Sequence, residues 1–516
     1  MSGKMFLVAV LFAMVARGEQ PFLLQCRGRM PLVVNADNDH YFKKAVAFSR
    51  FLPAEERWSE AGLRKYIDTV SAGGKVTHLF ACAVGQRASY DSKACDPIWL
   101  GIDEAKARGE KPDEWPVNAK KLHDAGLDCF RTWCEYGRTK GLSVWISQRM
   151  NDMHFGSRFT EETRHFRNNR FWSAHPELHR RPDGKTGADH AFDFAKEGVR
   201  EFAFAIFREL VDRYDADGFE LDFMRWTNHL TPGRERELSG VLTDYIARCR
   251  DYANAKAKLR GHPILLSSRV PSNYAAARAL GYDPEEWARR GLVDLIVVTD
   301  FYAAADYDCD FPGWKARLAR ANPSVVVLPG LNDNVGCCPG FRRDIRLADL
   351  CGWADNSFAA GAQGLYLFNA AYFGANVQRQ VYWHGLGAAA VREQPRTYLA
   401  SYHDVSYRGV DNGCRFPIDL TKGGEVTILV GSVAGGAPVV VFGCNGQDAR
   451  CPRVSLNGFA PLAMGETPVA PGDVCDKLSR AWRLGFPVGA VKPGRNVLSF
   501  KPQSGGGLLQ WAEIAE

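Results

Sequence analysis

Asp217-Gly218-Phe219-Glu220-Leu221-Asp222-Phe223-Met224-Arg225 is the stretch that decides how this chain is read. It follows a helical run from Glu197 to Tyr214 and has the alternation of a strand. Phe219, Leu221 and Phe223 share one face; Glu220 and Asp222 share the other. Two acids on one face of a buried strand are costly unless they line a site. A parallel barrel resolves the conflict. Its outer helices cover the apolar face, and the acidic face points toward the mouth, where such barrels hold their chemistry. The competing reading is a solvated edge strand, against which the preceding helix and the following βα pattern both speak.

Working outward, the same unit recurs. Strands are expected at Pro31 to Val34, Val76 to Val84, Leu142 to Gln148, Phe219 to Met224, Ile264 to Ser268, Val293 to Thr299, Val325 to Leu328 and Gly364 to Phe368. Helices are expected over Glu60 to Ser71, Asn118 to Thr139, Glu197 to Arg213, Leu238 to Lys256, Pro284 to Arg290 and Leu347 to Ala360. The fold class is therefore α/β, with a (β/α)8 TIM barrel over residues 28–395. No GxGxxG follows the first strand, so a dinucleotide site has no support. Residues 153–193 have little period and read as a functional loop, with Trp172 as either a sugar platform or a packing residue. After Arg396 helical period disappears and short β runs alternate with Gly- and Pro-rich turns. Residues 396–516 read as a C-terminal all-β, sandwich-like accessory domain.

With 516 residues, two domains are expected. A hydrophobic share of 46% and a charged share of 24% are those of a globular protein. The net charge of +6 is small and no long Lys/Arg run occurs, so nucleic acid is not the expected partner. Lys4, the apolar run Met5 to Ala16 and the small residues around Ala16-Arg17-Gly18 read as a signal peptide over residues 1–18. The expected location is secreted or periplasmic, without stable membrane insertion. All 14 cysteines follow this segment; export permits disulfides, Cys444 with Cys451 is a candidate pair, and the connectivity is not fixed by the sequence. No zinc-type spacing is present, so no metal and no cofactor are expected.

Three stretches carry a family resemblance: Arg149-Met150-Asn151-Asp152, the fourth-strand motif from Asp217 to Arg225, and Ser267-Ser268-Arg269-Val270-Pro271. Together they resemble the bacterial glycosyl-hydrolase-like family 10 proteins, exported (β/α)8 proteins. The resemblance implies a glycoside hydrolase class and fold, without a substrate. The fourth strand is also similar to the nucleophile strand of the α-amylase and α-galactosidase clans, which implies a nucleophile at Asp222. Glu220 stands where the amylases have Arg.

Glycoside hydrolysis needs two carboxyl groups, about 5–5.5 Å apart in retaining enzymes and about 6.5–9.5 Å apart in inverting ones. The expected mechanism is retaining, with Asp222 as nucleophile and Glu220, about 6.6 Å deeper along the strand, supporting it. Asp300 ends the sixth strand with the parity of Asp294, Ile296 and Val298 and is the candidate acid/base; Asp333 is the reserve. Arg149, Asn151, Asp152, Arg225, Arg269, Asp37 and Asn369, at strand ends, are candidate substrate-binding residues. The arginines either balance Glu220, Asp222 and Asp152 or bind an anionic sugar.

The expected partner is a carbohydrate. A chitinase-like mechanism lacks its proton donor, because Met224 occupies that position. A metal-dependent hydrolase or deacetylase using Asp37, Asp39, His154 and His175, and a non-catalytic carbohydrate-binding barrel, are the alternatives. The leader is directly testable: protein recovered from a secreting host should begin near Glu19 by mass spectrometry, and an intact Met1 would remove export from the reading.

Overall fold

The computed structural model describes residues 20–43, 56–158, 160, 163–300, 307–338, 341–400, 416–446, 449–469, 478–503 and 506–516. The leader, Cys414 and Cys475 lie outside these residues.

Eight parallel strands close into a barrel: β1 (Leu32–Ala36), β2 (His78–Val84), β3 (Ser143–Arg149), β4 (Gly218–Asp222), β5 (Leu265–Pro271), β6 (Leu295–Thr299), β7 (Val326–Leu331) and β8 (Leu365–Leu367). Each pairs with its sequence neighbours, and β1 closes on β8. Outward residues such as Val34, Ile146, Leu221, Ile296 and Val327 join the large apolar cluster under the helices. Inward residues such as Val33, Phe80, Trp145, Val297, Leu328 and Tyr366 form a separate cluster inside the barrel. Phe80 stacks on Trp145 with centroids 4.7 Å apart. Gly218 is required beside that stack, because a Cβ there would meet the Trp145 ring at 2.4 Å.

The floor of the barrel is closed by a short helix, Pro21–Gln25, ahead of the expected start of the domain. Phe22 enters the interior and stacks on His78. Gln25 donates to the Asp217 carbonyl at 2.9 Å and accepts from Trp145 Nε1 at 2.9 Å. Five residues are too few for a period to show.

The outer layer includes α1 (Glu60–Ser71), α2 (Glu114–Asp124), α3 (Cys129–Thr139), α4 (Glu197–Arg213), α5 (Ser239–Arg260), α6 (Pro284–Arg289), α7 (Phe311–Ala321) and α8 (Leu347–Ala359). The single helix expected over 118–139 is two. Gly126 takes a left-handed φ of 71°, and Asp128 caps the restart by accepting from the Arg131 amide. The fifth strand runs past its expected end, which puts Arg269 inside it. After β7 comes an unexpected hairpin, Asn334–Cys338 with Phe341–Asp344. Trp172 is a packing residue: it is buried, and its Nε1 donates to the His190 carbonyl. Among the described residues no helix is long and apolar enough to cross a membrane.

The C-terminal strands are β9 (Thr397–Leu399), β10 (Ile418–Asp419), β11 (Gly424–Val430), β12 (Val439–Asn445), β13 (Val454–Leu456), β14 (Ala463–Thr467), β15 (Arg480–Gly485), β16 (Gly494–Phe500) and β17 (Leu508–Ala515). One sheet has the order β9-β17-β12-β15-β14, with β10 also on β17; the other has the order β11-β16-β13. Their facing side chains form a core of their own. The candidate Cys444–Cys451 disulfide is absent, and both are thiols. Cys444 is buried in the sandwich core, whereas the Cys451 thiol turns to the Pro452 carbonyl.

Barrel and sandwich meet through buried charge. Asp355 on α8 is fully buried and accepts from Arg392 Nε at 3.0 Å, Tyr398 Oη at 2.9 Å and Ser432 Oγ at 2.8 Å. Asp355→Ala strands those donors and should cost about 3–5 kcal/mol in urea unfolding. Glu466→Ala cuts only the exposed pair with Arg480 and should leave the unfolding midpoint nearly unchanged. Equal small losses would show that the interface is not held at Asp355.

Candidate active site

A column of polar groups rises through the barrel above the aromatic floor. Glu220 and Asp222 point inward, as their alternation with Phe219 and Leu221 requires. Glu220 is completely buried. Its Oε2 meets Ser147 Oγ at 2.6 Å and its Oε1 meets Tyr366 Oη at 3.0 Å. Burial, and then the neighbouring Asp222, push its pKa up to about 7.

Asp222 stands one step higher. In-register pairing of β4 with β5 sets it opposite Arg269. The guanidinium donates to both carboxylate oxygens at 2.9 Å, and the Met224 amide adds a third bond at 2.8 Å. The other side of Arg269 lies over the Phe368 ring, 3.7 Å from its centroid. Arg269 is thus held between an anion and an aromatic face, and Asp222 is 1% exposed.

The next layer is an ion-pair chain. Arg149 bonds Asp37 on one side and Asp152 at 2.5 Å on the other. Burial opposes ionisation of Asp37, but Arg149, His40 and Arg225 outweigh it and hold its carboxyl below the ordinary range. Asp152 is likewise held well below its ordinary value, with His154 and Arg149 overcoming burial. His154 Nδ1 lies 2.5 Å from Asp152, and its Nε2 lies 2.8 Å from Arg225 Nη2. A guanidinium only donates, so Nε2 accepts and the ring proton sits on Nδ1, facing Asp152. Asp37, Asp39, Trp115, Arg149, His154 and Arg225 help line a cavity at the mouth.

The remaining expected residues divide. Asp300 keeps the parity of Ile296 and Val298, but those side chains face the outer helices; Leu295 and Val297 face the interior. Its carboxylate accepts from Ser272 Oγ at 2.6 Å. Asp333, at the base of the hairpin, is only partly covered, and burial raises its pKa above the ordinary value. Asn369 takes a left-handed φ of 55° and donates to Asp333 at 3.3 Å. Asn151 spends its amide on the Phe192 and Asn228 carbonyls and the Phe192 amide, which ties the long loop to the barrel. Arg149 and Arg269 are committed to internal acids. Sequence reasoning did not single out Ser147, Tyr366, Phe368 or the Asp152–His154 couple as site components. Strand parity carried the signal for the first three.

Asp37, Asp39 and His40 offer ligand atoms within 4.8 Å of one another. The donor set does not suit a cation, because His40 Nδ1 already accepts the Asp37 amide at 3.0 Å and the ring proton is left on Nε2. His175, the other proposed metal ligand, pairs with the exposed Glu177.

No family model matches the chain, and no curated protein matches it. Among solved structures, it is similar to a cycloisomaltooligosaccharide glucanotransferase of Paenibacillus sp. at 9% identity and TM-score 0.37, covering 94% of this chain and 57% of that one. A GH36 alpha-galactosidase of Geobacillus stearothermophilus matches at 13% identity and TM-score 0.38, covering 89% and 56%. Alpha-L-fucosidase isoenzyme 1 of Paenibacillus thiaminolyticus matches at 12% and 0.38, covering 94% and 99%. The chain thus spans little more than half the length of the first two. Likeness of this degree carries no argument about substrate or mechanism.

The state of Glu220 is testable by stability. Its folded pKa is raised, so the stability it contributes is complete below its unfolded value and is lost as pH rises through about 7. Glu220→Gln should therefore match the wild type near pH 5 and exceed it at pH 9 by about 2–3 kcal/mol, at about 1.4 kcal/mol per pKa unit. Thermal unfolding across pH reads the difference, and a constant offset would mean that Glu220 is ionised throughout.

Proposed function

We propose that this protein is an exported glycoside hydrolase that cleaves a glycosidic bond at the barrel mouth, with Asp222 as nucleophile and Asp333 as proton donor. The observation that carries the reading is the contrast between these two carboxyls at the C-terminal ends of β4 and β7. Asp222 lies in the fork of Arg269, which stabilises it as an anion. Asp333 accepts from the Asn369 amide at 3.3 Å, and burial raises its pKa and favours its protonated form. Two acids whose surroundings favour opposite protonation states are what acid–nucleophile catalysis requires. Asp333 takes the role expected of Asp300, because the outward parity of Asp300 turns it from the axis. The quoted resemblance to glycosyl-hydrolase-like family 10 supports the same class.

In the proposed reaction, Asp333 protonates the glycosidic oxygen as the bond from that oxygen to the anomeric carbon breaks. One arm of Arg269 swings aside, and the freed Asp222 oxygen bonds the anomeric carbon. Water, giving its proton to the now ionised Asp333, then displaces Asp222 and restores both groups. His154 and Arg225 contribute hydrogen bonds to sugar hydroxyls from the far side of the mouth.

A polysaccharide panel with product detection identifies the substrate. Asp222→Asn should then lose turnover on every substrate. Asp333→Asn should lose about 10²–10⁴-fold on unactivated glycosides and far less on those with good aryl leaving groups. Activity should fall as pH rises through the raised pKa of Asp333. Leaving-group dependence in Asp300→Asn instead would return the acid role to Asp300, and a trapped glycosyl group on any residue but Asp222 would overturn the nucleophile.

A further inference from the structure

The C-terminal sandwich reaches the barrel mouth through the hairpin that follows β7. Asp333 immediately precedes this hairpin, and its carbonyl accepts the Ile345 amide at 3.0 Å, which closes the base. Val335 and Ile345 lie in the same apolar cluster as Trp511 of β17, and the first hairpin strand neighbours β17. Arg343, in the returning strand, lies over the Trp511 ring at 5.1 Å and bonds Asp349 Oδ2 at 2.6 Å. Arg346, just beyond it, donates to Asp349 at 2.8 Å and to Glu513 at 2.9 Å. Glu513 also accepts from Trp511 Nε1 at 3.2 Å and is 4% exposed. Two arginines from the barrel side are thus balanced by one acid of the barrel, Asp349, and one of the sandwich, Glu513.

We infer that Glu513 is a positioning residue: through Arg346 and Arg343 it fixes the hairpin and so sets Asp333 at the mouth. The sandwich is then a structural part of the site, beyond its role as an appended domain. This rests on the assignment of Asp333 as proton donor only for its catalytic meaning; the positioning itself stands on geometry. The chain of contacts is short and buried, and it begins two residues from the C-terminal end of β7, so a loosened hairpin moves Asp333 directly.

The test uses the full-length protein and reads no turnover. Hydrogen exchange of residues 334–344 and carbodiimide–glycinamide labelling of Asp333 are compared in wild type, Glu513→Gln and Arg392→Ala. The last variant loosens Asp355, to which the sandwich's Tyr398 and Ser432 also bond, but does not touch the hairpin. Glu513→Gln should speed hairpin exchange about tenfold and raise Asp333 labelling, while Arg392→Ala changes neither. Unchanged hairpin exchange in folded Glu513→Gln would overturn the inference, as would an equal change in Arg392→Ala. Should Glu513→Gln not fold, Arg346→Gln removes the same bond from the half-exposed side and is read the same way. Because neither readout depends on catalysis, failure of the Asp333 assignment would leave this result standing, and the reverse.

Discussion

A carboxylate can be carried to the centre of a barrel only if its charge is taken up there. The Asp222–Arg269 pair satisfies this condition, and much of the interior is arranged around it. The level pairing of β4 and β5 brings the two side chains together, and Phe368 covers the far side of the guanidinium. Below the pair, Glu220 bonds two hydroxyls and no cation among the described residues, and burial with the neighbouring Asp222 favours its neutral form. Above it, Arg149 stands between two acids of its own. Charge is thus balanced layer by layer, and on the rim burial raises the pKa of Asp333.

The same principle joins the two domains. Asp355 and Glu513 are both buried and are met from both sides of the boundary, Asp355 by Arg392 and by the Tyr398 and Ser432 hydroxyls, Glu513 by Arg346 and by the Trp511 indole, while the buried Asp349 neutralises the barrel-side arginines that reach Glu513. Buried pairs of this kind contribute little net stability compared with apolar packing, but removing one partner leaves the other charge buried and uncompensated, which is strongly destabilising.

The barrel was legible because most strands and helices keep their own periods. The alternation of β4 gave the inward direction of Glu220 and Asp222 correctly, since only one of its faces is apolar. β6 offered no such contrast: Leu295, Ile296, Val297 and Val298 are apolar on both faces, as in any strand buried on both sides. Parity was therefore right for Asp300, but its direction was unreadable. Arg269 was placed beyond its strand because Ser267-Ser268-Arg269 reads as a polar end; the barrel interior at that level is itself polar. α7 escaped notice because Pro312 and Gly313 in its first turn read as a loop, although Asp310 caps it. The couple of Asp152 with His154 is local, but nothing in its spacing distinguishes it from an ordinary turn.

The Phe22 plug has a consequence for the route by which the chain folds. Its anchors are far away in sequence: Gln25 bonds Trp145 across 120 residues and Asp217 across 192. No local contact can hold this segment in place before β2, β3 and β4 stand side by side. Bringing such distant partners together costs loop entropy before any contact repays it, which slows folding. Until then the aromatic interior of the barrel is open to water at its lower end, and closing the floor is a late event of assembly.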